Sequence, residues 1–579
     1  MPSESADSIT VTRPGEFPRR SVPLDIDLGQ WDQIEPLLDA LEAREIASPE
    51  ELERWLLDIS ELAACLSEEG SRRHIARTCH TDDEEIERRF LHHVTEIVPR
   101  LKPRFDALNR RYLASPHREG LDRERHLVHD RSTENTVALF REANVALQVD
   151  EERLNNEHMR ITGAQTVEFR GETRTLPQMQ VFLEETDRAL RQEAWQLMTA
   201  RRMQDAEALT DLLNRMVSLR HRMALNADFE NFRDYQHRRC DRFDYTPADC
   251  ESFHAAAEQT CVPAARELAR ERQETLGVET LRPWDLAADP LGRPPLRPFK
   301  KSDELVAGCR RVFDRVSPAL AKEFDVLIDK RLLDLDSRPS KAPGGYQSTL
   351  AEVRLPFIFM NAAGTNRDVF TLLHEGGHAF HALACRQDPL LDYRHAPLEF
   401  AEVASMGMEM MSLDALEEFY GEEEANRARR HHLEMLLNLF PWIAQVDAFQ
   451  HWMYLNPEHT PEERREKWLA LEERFGFALD WSGHEDWMGL SWQRQLHIFQ
   501  VPFYYIEYGI AQIGALQLWQ NWREDPDSAV ERYRAALTLG GSRPLPELFD
   551  TAGLRFDFGV DTLRPLIEAV MEELARLPR

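Results

Sequence analysis

The sequence predicts a mainly α protein of two helical lobes, with a small β-sheet beside one histidine-bearing helix. Three observations carry this. The chain has 579 residues, more than one hydrophobic core normally organises, so two lobes or domains are expected. Long tracts rich in Leu, Glu and Arg repeat their apolar residues at helical spacing, as in "IEPLLDALEAREIASPEELERWLLDISELAACL". One short stretch, "EVRLPFIFMN", is instead rich in Val, Ile and Phe and too short for a helix once Pro356 is allowed for.

Taken in order, residues 1–22 are polar, contain Pro14 and Pro18, and read as a flexible arm. Gln30 to Leu113 is helical. A second helical tract runs from Glu134 to Val262, interrupted by "VEFRGETRTLP", a hairpin-like insert around Gly171. "LRPWDLAADPLGRPPLRPF", Leu281 to Phe299, is proline-rich and reads as a loop crossing between lobes or packed beside a cleft. A helix over Ser302 to about Val316 is followed by the irregular "SRPSKAPGGYQSTL". Gly345 to Asn361 reads as a small hairpin or sheet, and from Asn366 almost to the C-terminus the pattern is helical again.

Composition excludes several functions. A formal net charge of -31 repels phosphate backbones, so no nucleic-acid partner is expected. No apolar run approaches the ~20 residues of a membrane span, and the polar start lacks an apolar secretory region. The seven cysteines are odd in number, scattered and never paired as CxxC. They fit reduced thiols in the cytoplasm better than a disulfide framework or a cysteine-type zinc site.

The informative stretch is "TLLHEGGHAFHAL". At ~100° per residue, His374 and His378 lie within ~40° on one helical face, so both imidazoles can close on one ion. Glu375 points to the side of that pair, within reach of a water in the ion's open position. This is the H-E-x-x-H arrangement, with zinc as the usual ion and the glutamate as general base. Thr365 or Asn366 can cap the helix, and Val369, Phe370, Leu372 and Leu373 give it a buried side. Gly376 and Gly377 each weaken a helix by about 1 kcal/mol against alanine, which makes sense only where another chain needs bare backbone. His381 continues the stripe as a group orienting a ligand or as a structural histidine, and Cys385 as core.

A catalytic zinc takes three protein ligands and keeps one position open. In "LEFAEVASMGMEMMSLDALEEF", Glu399, Glu402 and Glu409 fall within ~80° on one helical face, among Phe400, Val403, Met406 and Met410. Buried carboxylates call for a cation. Spacing alone leaves Glu399 and Glu402 both open as the third ligand. Further on, "QLHIFQVPFYYIEYG" sets His497 before Pro502 and a helix beginning near Phe503, with Tyr505 and Tyr508 able to share a face. Phenol and imidazole donors of this kind stabilise the oxyanion of amide hydrolysis. Gly345 and Tyr346 in "GGY" suit a loop gripping a peptide, and the "RLPFIFMN" strand suits pairing with one.

"HEGGHAFH", "AEVASMGME", "KAPGGY", "PFIFMN" and "HIFQVPFYYIEYGIAQ" together resemble the oligoendopeptidase F branch of the thimet oligopeptidase family. The likeness runs from about Glu134 to the C-terminus and is strongest from Leu281 to Gly553. It implies Glu402 as the third ligand of a single Zn2+ and Glu409 as a supporting carboxylate, with Glu399 nearby. His497, Tyr508 and Tyr505 become oxyanion donors. Gly377 matches the family pattern, whereas a bulkier residue usually stands at Gly376. An N-terminal helical region is expected over 23–190 and a catalytic metallopeptidase domain over 191–579, and the resemblance implies a deep channel between two helical lobes.

The expectation is a zinc endopeptidase cutting internal bonds of short peptides, with no membrane partner. Two other readings fit the motif: a carboxypeptidase or aminopeptidase trimming chain ends, and a non-catalytic peptide-binding protein with a structural metal. The last needs a fourth ligand, for which only Cys385 or His381 is at hand.

Overall fold

Helices carry most of the chain in the computed structural model, which describes residues 16–579. Up to residue 15, the arm expected over 1–22 lies outside the described residues. Residues 16–22 are tied down: the Glu61 carboxylate accepts from the backbone N–H groups of Arg20, Ser21 and Val22, and Arg19 Nε donates to Glu352 Oε1 at 2.7 Å. The chain forms two compact units, each built from three separate segments. Among the described residues, no helix is long and apolar enough to cross a membrane.

The first unit comprises Met1–Phe140, Arg297–Ala425 and Gly514–Phe556. Strands β1 (Thr166–Phe169) and β2 (Glu172–Thr175), the hairpin expected around Gly171, belong to the other unit. The first unit holds β3 (Leu333–Asp336), β4 (Tyr346–Leu350) and β5 (Leu355–Ala362) in the order β3-β5-β4. β4 and β5 form the expected hairpin, with Tyr346 opposite Phe359 and Leu350 opposite Leu355. β3 joins in parallel on the far side, an addition its short acidic sequence "LDLD" does not announce. β5 is therefore the central strand, and Leu355 through Met360 are buried. That corrects the expectation that "RLPFIFMN" could pair with a peptide, since both its edges are already bonded; the sheet edge on the hairpin side is β4.

On this sheet packs the histidine helix, Asn366–Cys385. Thr365 caps it, accepting from the Asp368 backbone N–H while the Asp368 carboxylate accepts from that of Thr365, a reciprocal capping box. The glutamate helix, Leu398–Met411, lies against it. A third helix, Pro526–Leu539, also packs on the histidine helix, and its Tyr533 hydroxyl donates to the Ala404 carbonyl at 2.8 Å.

The second unit comprises Arg141–Leu296, Asn426–Ile513 and Asp557–Arg579. It is helical apart from the β1–β2 hairpin, whose Val167 and Phe169 sit in a small core with Leu176, Met179 and Met198. The proline-rich loop is anchored within it. Trp284 packs with Trp195 and Trp487, and buried Asp285 is held by Arg188 and Arg191. The chain leaves this unit at Leu296, within that loop. The tyrosine helix begins at Tyr505, two residues later than the sequence suggests. Phe503, after Pro502, takes a left-handed φ of 66° and is buried, its N–H donating to Gln450 Oε1. The turn between the short helix Leu496–Gln500 and the tyrosine helix is made there.

Candidate metal centre

The histidine and glutamate helices run closer together than side chains normally permit, and Gly377 is the reason. A Cβ at this position would stand 2.5 Å from the Ala404 carbonyl oxygen and 2.6 Å from Ser405 Cα, both backbone. Gly376 has a different neighbour: its added carbon would meet the Phe313 ring at 2.6 Å. One glycine brings the site helices together; the other accommodates an aromatic ring from the Ser302–Val316 helix.

Because of that approach, the ligating atoms of His374, His378 and Glu402 all lie within 4.8 Å of one another. Glu402 Oε2 is 3.3 Å from His374 Nε2 and 3.7 Å from His378 Nε2. Donors about 2.0–2.2 Å from a tetrahedral ion stand roughly 3.3–3.6 Å apart, so the set fits zinc in chemistry and in spacing. His374 Nδ1 donates to Glu409 Oε1 at 2.7 Å, which turns Nε2 toward the shared point. Ser405, unremarked in the sequence, donates its hydroxyl to Glu402 Oε2 at 3.0 Å. Its position one turn after Glu402 is the signal that could have revealed it.

Electrostatics agree with a cation at this point. Burial opposes charge on His374, yet Glu402 and Glu409 overcome it and raise its pKa well above the ordinary value. A field that favours a proton there favours a metal ion too. Burial pushes His378 down to about 4, leaving a neutral imidazole, whereas Glu402 is held at about 2 because the histidines outweigh its burial. Those are the protonation states ligands require. Glu375 is buried, and desolvation pushes its carboxyl up to about 7 despite His374 nearby. That is where a general base working near neutral pH should titrate.

The other expected residues divide. Glu399 is buried on the same helix but lies outside the donor group. His381 is buried edge-on to Phe400, with no hydrogen bond to Nε2 among the described residues and a pKa driven by burial to about 3. Gly345 lies where β4 approaches the histidine helix, its added carbon 3.2 Å from the Thr371 methyl. Tyr346 stacks on Phe359, and its hydroxyl shares a 2.6 Å hydrogen bond with Thr78. Its phenol is thereby committed within the fold. In the second unit, His497 sits with its ring centroid 4.8 Å from Tyr505, 5.8 Å from Tyr504 and 5.9 Å from Tyr508. Tyr505 is buried and accepts from Trp442 Nε1, while Tyr504 and Tyr508 are half-buried.

Comparisons with known proteins agree with this chemistry. Residues 181–565 match peptidase family M3 and residues 28–140 match the peptidase M3 N-terminal domain. The solved structure of PZ peptidase A with an inhibitor superposes with a TM-score of 0.90 at 28% identity, over 96% of this chain and 99% of that one. A structure assigned to oligoendopeptidase F gives 0.88 at 30% identity, over 96% and 98%. The oligoendopeptidase F homolog of Borreliella burgdorferi is 24% identical over 64% of this chain, and the alignment spans 62% of that relative's length. With its histidine and glutamate helices in place, and matched over most of its length, this chain belongs to peptidase family M3, in the oligoendopeptidase F branch.

Proposed function

We propose that the protein is a zinc-dependent endopeptidase that hydrolyses internal bonds of short oligopeptides. The observation that carries this reading is the convergence of His374, His378 and Glu402 beside the buried, high-pKa carboxyl of Glu375. His374, His378 and Glu402 would hold one zinc ion, with Glu409 fixing His374. When bound, zinc lowers the pKa of water toward ~7 and polarises a carbonyl.

Glu375 takes the proton of the attacking water on its carboxylate and passes it to the departing amine. Desolvation raises its proton affinity, which favours the first transfer. His497 and Tyr508 donate to the carbonyl oxygen as charge builds there. Support for them is the family resemblance and the gathering of these rings within the second unit. The edge strand β4, whose Gln347 backbone lowers the Glu375 pKa, is the surface on which an extended peptide would lie. A catalytic region over 191–579 is supported by the family match over 181–565. The scattered cysteines, none in a disulfide among the described residues, are the support for a cytoplasmic setting.

Glu375→Gln tests the reading. It should keep its metal content while kcat falls by about 10²–10⁴-fold, the usual contribution of a general base. A peptide blocked at both ends should still be cut by the wild type. Unimpaired turnover of the variant would remove Glu375 from its role, and refusal of the blocked peptide would favour end trimming.

A further inference from the structure

A second group of metal-type donors lies in the other unit, and peptide hydrolysis makes no use of it. Cys250 and His254 stand one turn apart on the helix Pro247–Leu276. Asp447 and His451 stand one turn apart on the helix Glu422–Leu455. Ligating atoms of Cys250, Asp447 and His451 all lie within 4.8 Å of one another. His254 Nε2 is 2.8 Å from Asp447 Oδ2, and His451 Nε2 is 3.3 Å from the same oxygen. All four residues are buried, between 0% and 6% exposed.

From these residues we propose a second, structural metal site for a zinc-type divalent ion, ligated by Cys250, Asp447 and His451, with His254 the donor nearest to completing four.

Three features argue for an ion over a plain hydrogen-bonded cluster. First, the donor chemistry is specific: thiolate, imidazole and carboxylate together suit zinc and few other partners. Second, two polar atoms go unsatisfied in a dry place. Asp447 Oδ1 and His451 Nδ1 are buried without hydrogen-bond partners among the described residues, and a polar atom left unpaired away from water is destabilising. Third, the Arg242 guanidinium is committed to other groups, its Nη2 donating to Glu507 Oε1 and to the Phe503 carbonyl, each at 2.6 Å. The Phe503 ring lies edge-on to His451, 5.5 Å away, Phe253 is fully buried alongside, and the buried His237 faces the same His451–Asp447 pair. Without an open coordination position facing solvent, such an ion would brace two helices and leave chemistry to the other centre.

The test is metal analysis of the full-length protein, produced in zinc-depleted medium with cobalt so that the ion is present while the chain folds. Wild type should contain about two equivalents, and His374→Ala/His378→Ala about one, because closed sites of this donor type bind tightly. Cobalt bound at Cys250 should give a thiolate-to-metal charge-transfer band, which two histidines and a glutamate cannot produce. Cys250→Ser should lose that band and about one equivalent. If this variant does not fold, the wild-type spectrum and the double histidine variant decide alone. A wild type lacking the band, with a histidine variant devoid of metal, would overturn the proposal and leave a bare His–Asp–His network.

Discussion

The two donor groups share a design and differ in one variable. Each takes side chains one helical turn apart: His374 and His378 on one helix facing Glu402 on another, Cys250 and His254 facing Asp447 and His451. The first keeps a partly open face, its two histidine side chains 21% and 19% exposed. The second is sealed, with Asp447 at 0%. Exposure separates a metal that must meet a substrate from one that need only hold helices together. The supporting groups differ accordingly. Glu409 and Ser405 orient the first set through hydrogen bonds, while aromatic rings wall in the second.

The largest effect that could break this contrast is selective metal removal. Dialysis of the native protein against a chelator should lower peptide hydrolysis by about 10³-fold or more, the several kcal/mol a Lewis-acid ion contributes, and added zinc should restore it. The cobalt–thiolate band of the second unit should survive the same treatment. Simultaneous loss of both signals would erase the distinction by exposure. Next in size is Glu409→Gln. Loss of the charged partner of His374 Nδ1 should weaken metal binding or activity by about 10–100-fold, read as the zinc concentration needed for half-maximal turnover. An unchanged requirement would mean that packing alone aims the ring.

The contrast also explains what the sequence made legible. The histidine pair, Glu375 between them and the Thr365 cap are contiguous in sequence, so fixed spacing revealed them without tertiary knowledge. The carboxylate that joins them lies on a separate helix whose rotation spacing could not set; family resemblance pointed to Glu402, and it is Glu402, not Glu399, whose carboxylate gathers with the two imidazoles. Tyr346 was legible as a phenol in a loop but not as one committed to Thr78, a partner 268 positions away. β5 was recognisable as a strand, yet its central place depends on β3, which pairs with it in parallel across the loop and strand β4 that lie between them in sequence. The buried group of the second unit is the extreme case. "CESFH" and "DAFQH" each carry the one-turn spacing, but 193 positions separate His254 from Asp447. Either half alone is an unexceptional helix.

A smaller effect sharpens the account of how the open site is assembled. Gly377→Ala forces a methyl into the backbone of the glutamate helix, and nothing there is a flexible side-chain end. Overpacking of this kind destabilises by about 1–3 kcal/mol, and it should also lower zinc affinity, because Glu402 moves with Ser405. Gly376→Ala meets only the edge of the Phe313 ring, and the gain of about 1 kcal/mol in helix propensity offsets part of that clash. Unfolding free energies from urea titration should therefore fall markedly for the first variant and by less than about 1 kcal/mol for the second. Equal losses would mean that crowding by a ring and by backbone are equivalent here.

The smallest effect concerns a carboxylate whose cations come from the chain itself. Asp334 on β3 takes Arg338 on both oxygens, at 2.6 and 2.7 Å, and the buried Lys341 at 2.9 Å. Burial alone would raise its pKa, but Arg338 and Lys341 outweigh it and hold the carboxyl at about 2. Its unfolded value is about 3.9. A folded pKa below the unfolded one means the unfolded chain binds the extra proton first. The stabilisation is therefore fully present above about pH 4 and is lost as pH falls toward 2. Its size is of order 1–2 kcal/mol after allowance for partial solvent screening. The difference in urea midpoint between wild type and Asp334→Asn should accordingly be constant from neutral pH to about 5 and shrink below 4, with no response to chelator. A difference that ignored pH but vanished on chelation would place Asp334 with the metal-binding carboxylates and undo the separation between resident and borrowed cations.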